Sequence, residues 1–391
     1  MLMTSRALRR PRIGTRPEGP LRVLMPRGLA ALATQSGIGA AMRHQEKAIR
    51  ALGHEVVTSP LQPFDVVHLN TPFPDTPLLA AWARLRRRPV LVWAHSTEDD
   101  FRDSFTGSNR LAPLFRRWIS LLYRRGDVVV TPSDYSKQLV SAPKYGITAP
   151  IRVLSNGVDT SFFRPDPSAR GRLREQLGLA PETRVVVSVG MQLVRKGILD
   201  WVELARAMPE VAFVWYGRTD PRLLTSDVEQ ALRSAPANAL FPGYVRPEQL
   251  REAYCGADAF CFLTKEETEG IVLWEALACG VPALVRGIPI YRDGMPDGVL
   301  THQVEGAGPG FVPRVAEKLA ALLDGRLADL REAGREAAEG VDLLQVAERL
   351  GGIYEEVGAR PGRVRSGARA AIRPVLRWSR RGADAPRGAG R

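Results

Sequence analysis

The sequence predicts an α/β protein with two doubly wound parallel sheets, and three observations carry that prediction. Short apolar runs alternate with amphipathic helical stretches along most of the chain, the pattern of repeated βαβ units. The alternation starts afresh at residues 184–190 (RVVVSVG), after a long polar link. A chain of 391 residues with 45% apolar content suits two domains of ordinary size.

In order, residues 21–25 (LRVLM) form the first strand. The stretch 35–40 (QSGIGA) then turns into a helix over 40–52, stopped by Gly53. Gly37 and Gly39 let a ligand or a backbone come close there, and a plain tight turn is the equal alternative. Residues 55–58 and 65–69 (DVVHL) read as strands, 76–87 as a helix and 90–93 (VLVW) as a strand. His95 follows that strand, which places it at the C-terminal edge of the sheet, although a lone His is more often a hydrogen-bonded structural residue. A helix over 110–125, a strand at 128–131, a helix from 134 to 140 and a strand at 151–154 complete the first series. Asn156 lies in the turn that follows, Ser155-Asn-Gly-Val-Asp159, and Asn-Gly is also an ordinary turn pair.

Residues 160–182 link to the second series, whose first strand ends at Gly190. Arg195 and Lys196 sit at the next strand-to-helix turn. Lysine as a point charge and arginine as a fork both suit a diphosphate, with a solvated basic pair as the alternative. A helix over 198–207, a strand at 211–216 ending before Gly217, a helix over 222–233 and a strand at 239–243 before Tyr244 come next.

Residues 257–263 (ADAFCFL) then read as a buried strand, 264–269 as an acidic loop, and the stretch from Gly270 to the stop at Gly280 as a helix. Residues 283–285 open another strand, and a last helix spans 341–357. A helix that begins just after a strand aims free N–H groups and partial positive charge at the strand's C-terminal edge, where phosphates bind. Glu267 in the loop and Glu275 in the helix repel a phosphate, yet each accepts two hydrogen bonds from vicinal hydroxyls. The combination predicts a ligand with a diphosphate between two polyols, a nucleotide sugar. The alternative, a solvated acidic loop, weighs equally for Glu266 and Glu269.

The segment Glu267-Thr-Glu-Gly-Ile-Val-Leu-Trp-Glu275 resembles the E-x7-E signature of the retaining glycosyltransferases of family 4. The stretch His95-Ser-Thr-Glu-Asp-Asp-Phe-Arg-Asp-Ser-Phe is similar to the enzymes of that family that glucosylate diacylglycerol in bacterial membranes. Ser155–Asp159 with Phe162, Phe163 and Pro165 behind it matches the family as well, and the resemblance spans residues 21–358.

It implies the GT-B arrangement: Rossmann-like domains at 21–165 and 166–342 facing one another, a helix at 343–358 crossing back, and basic tails at 1–20 and 359–391. It implies catalytic roles for His95, Glu267, Arg195 and Lys196, with Glu267 at the donor sugar and Glu275 on the ribose. Gly37, Gly39, Asn156, Gly190 and Gly217 are expected around the donor, as are Tyr244, Thr268, Glu269, Gly270 and Ile271. Many relatives carry Arg directly after the strand glycine; Met191 stands there in this chain, and Arg195 is expected to supply the second cation. The implied donor is UDP-glucose, the acceptor diacylglycerol, with no bound cofactor or metal. The acceptor alternatives are a polyprenyl-linked or soluble glycan; a catalytically silent scaffold is the rival outside enzymology.

Charge bears on the acceptor. The net charge of +13 divides unevenly: residues 23–160 carry +6 and 161–359 carry −7, with +5 at the N-terminus and +9 at the C-terminus. The Arg-rich tails, poor in apolar residues, are expected to be disordered. In the helix over 110–125, Leu111, Leu114, Phe115, Trp118, Ile119 and Leu122 share one face. Arg110, Arg116, Arg117 and Arg124 point away from it, with Arg125 at the border. Packing into the core and docking on anionic lipid are the two readings of such a helix. No apolar run reaches about 18 residues, so no membrane span is expected. The tails lack interleaved aromatics apart from Trp378, so no nucleic acid is expected. The three cysteines, Cys255, Cys261 and Cys279, lack metal spacing and read as reduced thiols. The expected location is the cytoplasm, peripheral on the inner face of the cell membrane.

Overall fold

The computed structural model describes residues 19–33 and 36–361. Most of each expected tail, and Gln35, lie outside them.

Two sheets of six parallel strands organise the chain. The first holds β1 (Arg22–Leu24), β2 (Glu55–Val57), β3 (Val66–Leu69), β4 (Val90–Trp93), β5 (Val128–Thr131) and β6 (Ile151–Val153) in the order β2-β1-β3-β4-β5-β6. The second holds β7 (Arg184–Val189), β8 (Val211–Tyr216), β9 (Ala239–Gly243), β10 (Ala259–Phe262), β11 (Ala283–Arg286) and β12 (His302–Val304) in the order β12-β11-β10-β7-β8-β9. The strands run VVHL, VLVW, VVVT and VAFVWY, buried along their full length because helices cover both faces of each sheet. His68 is a polar exception. Its Nδ1 meets the Tyr354 hydroxyl at 3.1 Å and its ring stacks on Trp93, so burying it leaves that nitrogen satisfied.

In both sheets the strand order reverses beside the first strand, between β1 and β3 and between β7 and β10. Helices leave in opposite directions at such a point and a crevice opens at the strands' C-terminal ends. Gly197, at φ +81°, shows how tightly the second crevice is built, since a Cβ there would collide with the Leu263 carbonyl oxygen below β10.

The last helix, Leu343–Glu356, returns to the first sheet. Val346, Leu350, Ile353 and Tyr354 pack with Leu21, Val23 and Trp93 in one core cluster, each buried aliphatic or aromatic side chain contributing about 1.5–3 kcal/mol. Asp342 caps that helix and accepts from the Thr160 hydroxyl at 2.6 Å. The glycine of the Ser155–Asp159 turn is explained here: a Cβ on Gly157 would meet Leu343 at 2.8 Å.

Among the elements that escape a reading by hydrophobic period, two lie behind the second crevice. The link over 160–182 contains the helix Ala169–Leu177, anchored by buried Arg174, which pairs with Asp258 at 2.6 Å. The helix Pro247–Gly256 packs between it and the helix Ile271–Ala278.

Candidate functional site

The second crevice gathers the charged residues. Gly270, at φ +88°, caps the helix Ile271–Ala278, and β10 leads into the loop before it. From that loop buried Glu267 reaches across to partly buried Lys196, and the two form an ion pair. Thr264 Oγ1 donates to the same carboxylate oxygen, Oε1, at 3.0 Å. Burial lowers the pKa of the Lys196 ammonium, while Glu267 works in the other direction. Gly190 lies beside the lysine stem, at ordinary contact distance from it, and its φ of +155° is one that L side chains rarely adopt.

Glu275, one helical turn further in, is buried and accepts from the Tyr254 hydroxyl at 3.1 Å. Burial pushes its carboxyl up to about 7. The helix Gly37–Ala51 of the first domain, capped by Ser36 accepting from Gly39 N–H at 3.4 Å, lies against the helix that carries Glu275. Gly217, after β8, packs directly against Gly190 at the end of β7, where a Cβ would meet the Gly190 carbonyl carbon at 2.8 Å; Tyr244, after β9, is exposed at the sheet's edge.

The other half of the loop faces the first domain. Glu269 accepts from the Ser155 hydroxyl, from Asn156 N–H at 3.1 Å and from the Asn156 side-chain amide. Glu266 accepts from the Tyr135 hydroxyl at 3.1 Å. Burial raises both carboxyls to about 7. Thr268 donates to the His95 carbonyl at 3.3 Å and accepts at its own carbonyl from Ser133 Oγ at 2.6 Å. Asn156 and Glu269, expected at the donor, therefore meet each other across the seam between domains.

Arg195 belongs to that seam too. Its guanidinium donates to the Glu266 carbonyl at 3.0 Å and to Ser104 Oγ at 3.2 Å, and its amide donates to the Asp103 carbonyl at 2.9 Å. Lys196 alone of the expected cation pair pairs with Glu267. His95 is buried at the end of β4, its Nε2 3.0 Å from Asn70 Oδ1, beside a small cavity of ≈ 10 Å³ lined also by Thr71, Ser96 and Tyr123. Burial lowers its pKa to about 3, so the imidazole is neutral at physiological pH.

Three groups absent from the sequence reading converge on the same place. Asp100, capped against Thr97, is half-buried, desolvation raises its pKa, and it feels Arg195, Lys196 and Glu267. Tyr291 is buried against Gly270, and its hydroxyl has no hydrogen-bond partner among the described residues. Tyr254 holds Glu275 from the unread helix Pro247–Gly256. Asp100 lies within the quoted HSTEDDF stretch, the one available signal for it.

The basic helix needs a correction. It spans Ser108–Tyr123, and Arg116 turns inward, pairing with Glu98 at 3.0 Å and donating to the Lys144 carbonyl at 2.8 Å. Its charge is already met by an acid from another element. The apolar face is split as well: Ile119 and Leu122 are buried, while Leu111 and Leu114 are 48% and 63% exposed. Arg110, Arg117 and Arg124 remain exposed.

Two facing Rossmann-like domains joined by a returning helix, with a charged crevice at the second topological switch point, define a GT-B glycosyltransferase. Residues 34–162 match the model described as Glycosyltransferase Family 4, and residues 169–340 the one described as Glycosyl transferases group 1. The chain is 32% identical over 338 residues to the processive diacylglycerol alpha-glucosyltransferase of Acholeplasma laidlawii, covering 86% of this chain and 98% of that one. The alpha-galactosylglucosyldiacylglycerol synthase of Streptococcus pneumoniae is 28% identical over 276 residues, covering 65% of this chain and 71% of that one. The chain belongs to glycosyltransferase family 4 and is a hexosyltransferase. Its fold matches sucrose-phosphate synthase from Thermosynechococcus elongatus at a TM-score of 0.69 and 17% identity, over 87% and 99% of the two chains. It also matches Anabaena HepE in complex with UDP-glucose at 0.65 and 17%, over 86% and 99%.

Proposed function

We propose that the protein moves glucose from UDP-glucose to the free hydroxyl of diacylglycerol, with retention of anomeric configuration, at the inner face of a membrane. The observation that carries this reading is similarity to the diacylglycerol glucosyltransferase along 98% of that enzyme's length. The ion pair between Lys196 and Glu267 supports it chemically. A diphosphate entering the crevice takes Lys196 from Glu267 and releases the carboxylate to accept from a sugar hydroxyl. Glu275 receives the ribose hydroxyls. As the glycosidic bond breaks, charge grows on the diphosphate, where Lys196 and the amides at Gly270 and Ile271 stabilise it. Neutral His95 and Asn70 line the sugar side, and the phosphate oxygen takes the acceptor's proton.

The membrane face we assign is wider than one helix. The helix Asp75–Leu85 exposes Leu78 and Leu85 beside exposed Arg84, Arg86 and Arg87. It is tied to the Ser108–Tyr123 helix by Trp118 donating to the Pro72 carbonyl at 2.6 Å and Arg84 to the Arg125 carbonyl at 2.9 Å. Each exposed arginine near anionic lipid contributes about 1 kcal/mol.

Incubating the protein with diacylglycerol vesicles and a panel of labelled nucleotide sugars tests the reaction. Label from UDP-glucose should enter lipid. Transfer only to a polyprenyl-linked or soluble glycan would replace the acceptor. In co-sedimentation with anionic vesicles, Leu111→Ser/Leu114→Ser/Arg117→Glu should lose binding, while Arg116→Gln should not.

A further inference from the structure

Four buried polar side chains from different elements meet where the strands of the first sheet end. β3 and β4 are neighbours, with Leu69 beside Val92, so Asn70 and His95 lie side by side just beyond their C-terminal ends. Gln45 comes from the helix Gly37–Ala51, and Asn156 from the turn after β6. The His95 ring stacks on Trp93, with centroids 5.8 Å apart and planes 13° from parallel. Its backbone carbonyl accepts from Thr268 of the acidic loop, which sets the ring beside the second domain.

Two amides address one ring nitrogen. Asn70 Oδ1 lies 3.0 Å from His95 Nε2, and Gln45 Nε2 lies 3.5 Å from the same atom. An oxygen there requires a proton on Nε2, whereas an N–H requires a lone pair, and the neutral imidazole has one proton to place. The shorter contact decides. Nε2–H donates to Asn70 Oδ1, and the Gln45 amide donates to Asn156 Oδ1 at 3.4 Å. Turning the Asn70 amide over would set two N–H donors against a single lone pair. The hydrogen bonds of this ring are all at Nε2, and Nδ1 makes none among the described residues. Asn70 Nδ2 and Gln45 Oε1, both buried, have no partner there either. The amides are thus set for the imidazole and not for their own full satisfaction, which costs stability.

We propose that Asn70 is a positioning residue that holds His95 as the Nε2–H tautomer, so that Nδ1 offers the crevice a lone pair and selects a ligand group that brings its own proton. A sugar hydroxyl brings one; an ionised phosphate oxygen does not. The same ring with its proton on Nδ1, or with two protons, would attract the phosphate instead. Asn70 therefore makes His95 distinguish the sugar of a nucleotide sugar from its diphosphate, without touching either. The recognition of the sugar rests on the UDP-glucose reading above; the tautomer does not.

The test labels the ring nitrogens of histidine in the full-length protein and reads proton–nitrogen correlation spectra, with His95→Gln assigning the His95 signals among those of the five histidines. Without ligand, His95 should show a protonated Nε2 and a bare Nδ1. Asn70→Leu should abolish that single form, and Asn70→Asp, which keeps an acceptor oxygen, should keep the Nε2 proton. A bare Nε2 in the wild type, or a spectrum unmoved in Asn70→Leu, overturns the proposal. Affinity is the second readout. Asn70→Leu should weaken UDP-glucose by about tenfold, the loss of one hydrogen bond, while UDP binds within about twofold of wild type. Added to His95→Gln, it should weaken UDP-glucose no further. Equal losses for UDP and UDP-glucose would make Asn70 a structural residue and overturn its role toward the sugar. The expected spectra in a protein that binds UDP-glucose no better than UDP support the tautomer and count against the proposed donor.

Discussion

Four glutamates lie between residues 266 and 275, and they divide into two pairs that differ in what holds them. Glu267 and Glu275 stay within the second domain, Glu267 held by Lys196 and Thr264 and Glu275 by Tyr254. Glu266 and Glu269 cross to the first domain and bind Tyr135, Ser155 and Asn156. Burial does not separate the pairs, since Glu267, Glu269 and Glu275 are all buried. Titration does not either, because Glu266, Glu269 and Glu275 are all pushed up to about 7 by desolvation. Partners separate them. An acid whose partners belong to its own domain can exchange one of them for a ligand; an acid whose donors come from the other domain makes a joint. In this account the first pair serves the donor and the second closes the cleft.

The largest effect should come from Lys196. Lys196→Ala removes the cation that stabilises growing charge, and turnover should fall by about 10²–10³, more than the donor KM rises. Steady-state kinetics reads both; a normal turnover with only a raised KM would reduce Lys196 to a binding group.

Glu269→Ala comes next. It leaves the buried Asn156 donors unpaired, a cost of about 1–3 kcal/mol charged to the closed arrangement. We expect kcat/KM to fall by about tenfold, measured at saturating acceptor. Wild-type kinetics would mean that the seam closes without this carboxylate.

The smallest effect concerns Glu275 and pH. Its folded-state pKa, about 7, lies above the ordinary 4.5, so the folded protein holds the proton across that window and loses stability as pH rises through it. Glu275→Gln carries no charge to bury. Without ligand, its stability relative to wild type should therefore grow from pH 5 to pH 7, by up to about 1.4 kcal/mol per unit. Denaturant melts at several pH values check this, and a flat difference would mean that Glu275 is ionised in the resting crevice.

The sequence makes local relations legible and long-range ones obscure. The Glu267/Glu275 spacing is readable because a strand, a loop and a helix fix it within twenty residues. The Gly190 turn and the alternation of both sheets are readable for the same reason. Tyr254 is not, because the helix that carries it has a weak apolar face and its partner is 21 residues away. Arg116 reads as a free surface charge because the acid that neutralises it, Glu98, comes from the short helix Glu98–Phe101. Glu269 reads as part of the donor loop because nothing local reveals that Asn156, 113 residues earlier, takes both its oxygens. Composition carried the charge asymmetry but not its layout, since exposed Leu111, Leu114, Leu78 and Leu85 emerge only once the rest of each helix packs onto the same core cluster.

The division of the glutamates is tested most directly by equilibrium titration of UDP into Glu275→Ala and Glu269→Ala in parallel with wild type. The account predicts that Glu275→Ala loses affinity by about 10–100-fold, two charge-assisted hydrogen bonds being partly replaced by water, while Glu269→Ala binds UDP within about twofold of wild type. Equal losses in both variants, or the loss confined to Glu269→Ala, would contradict it.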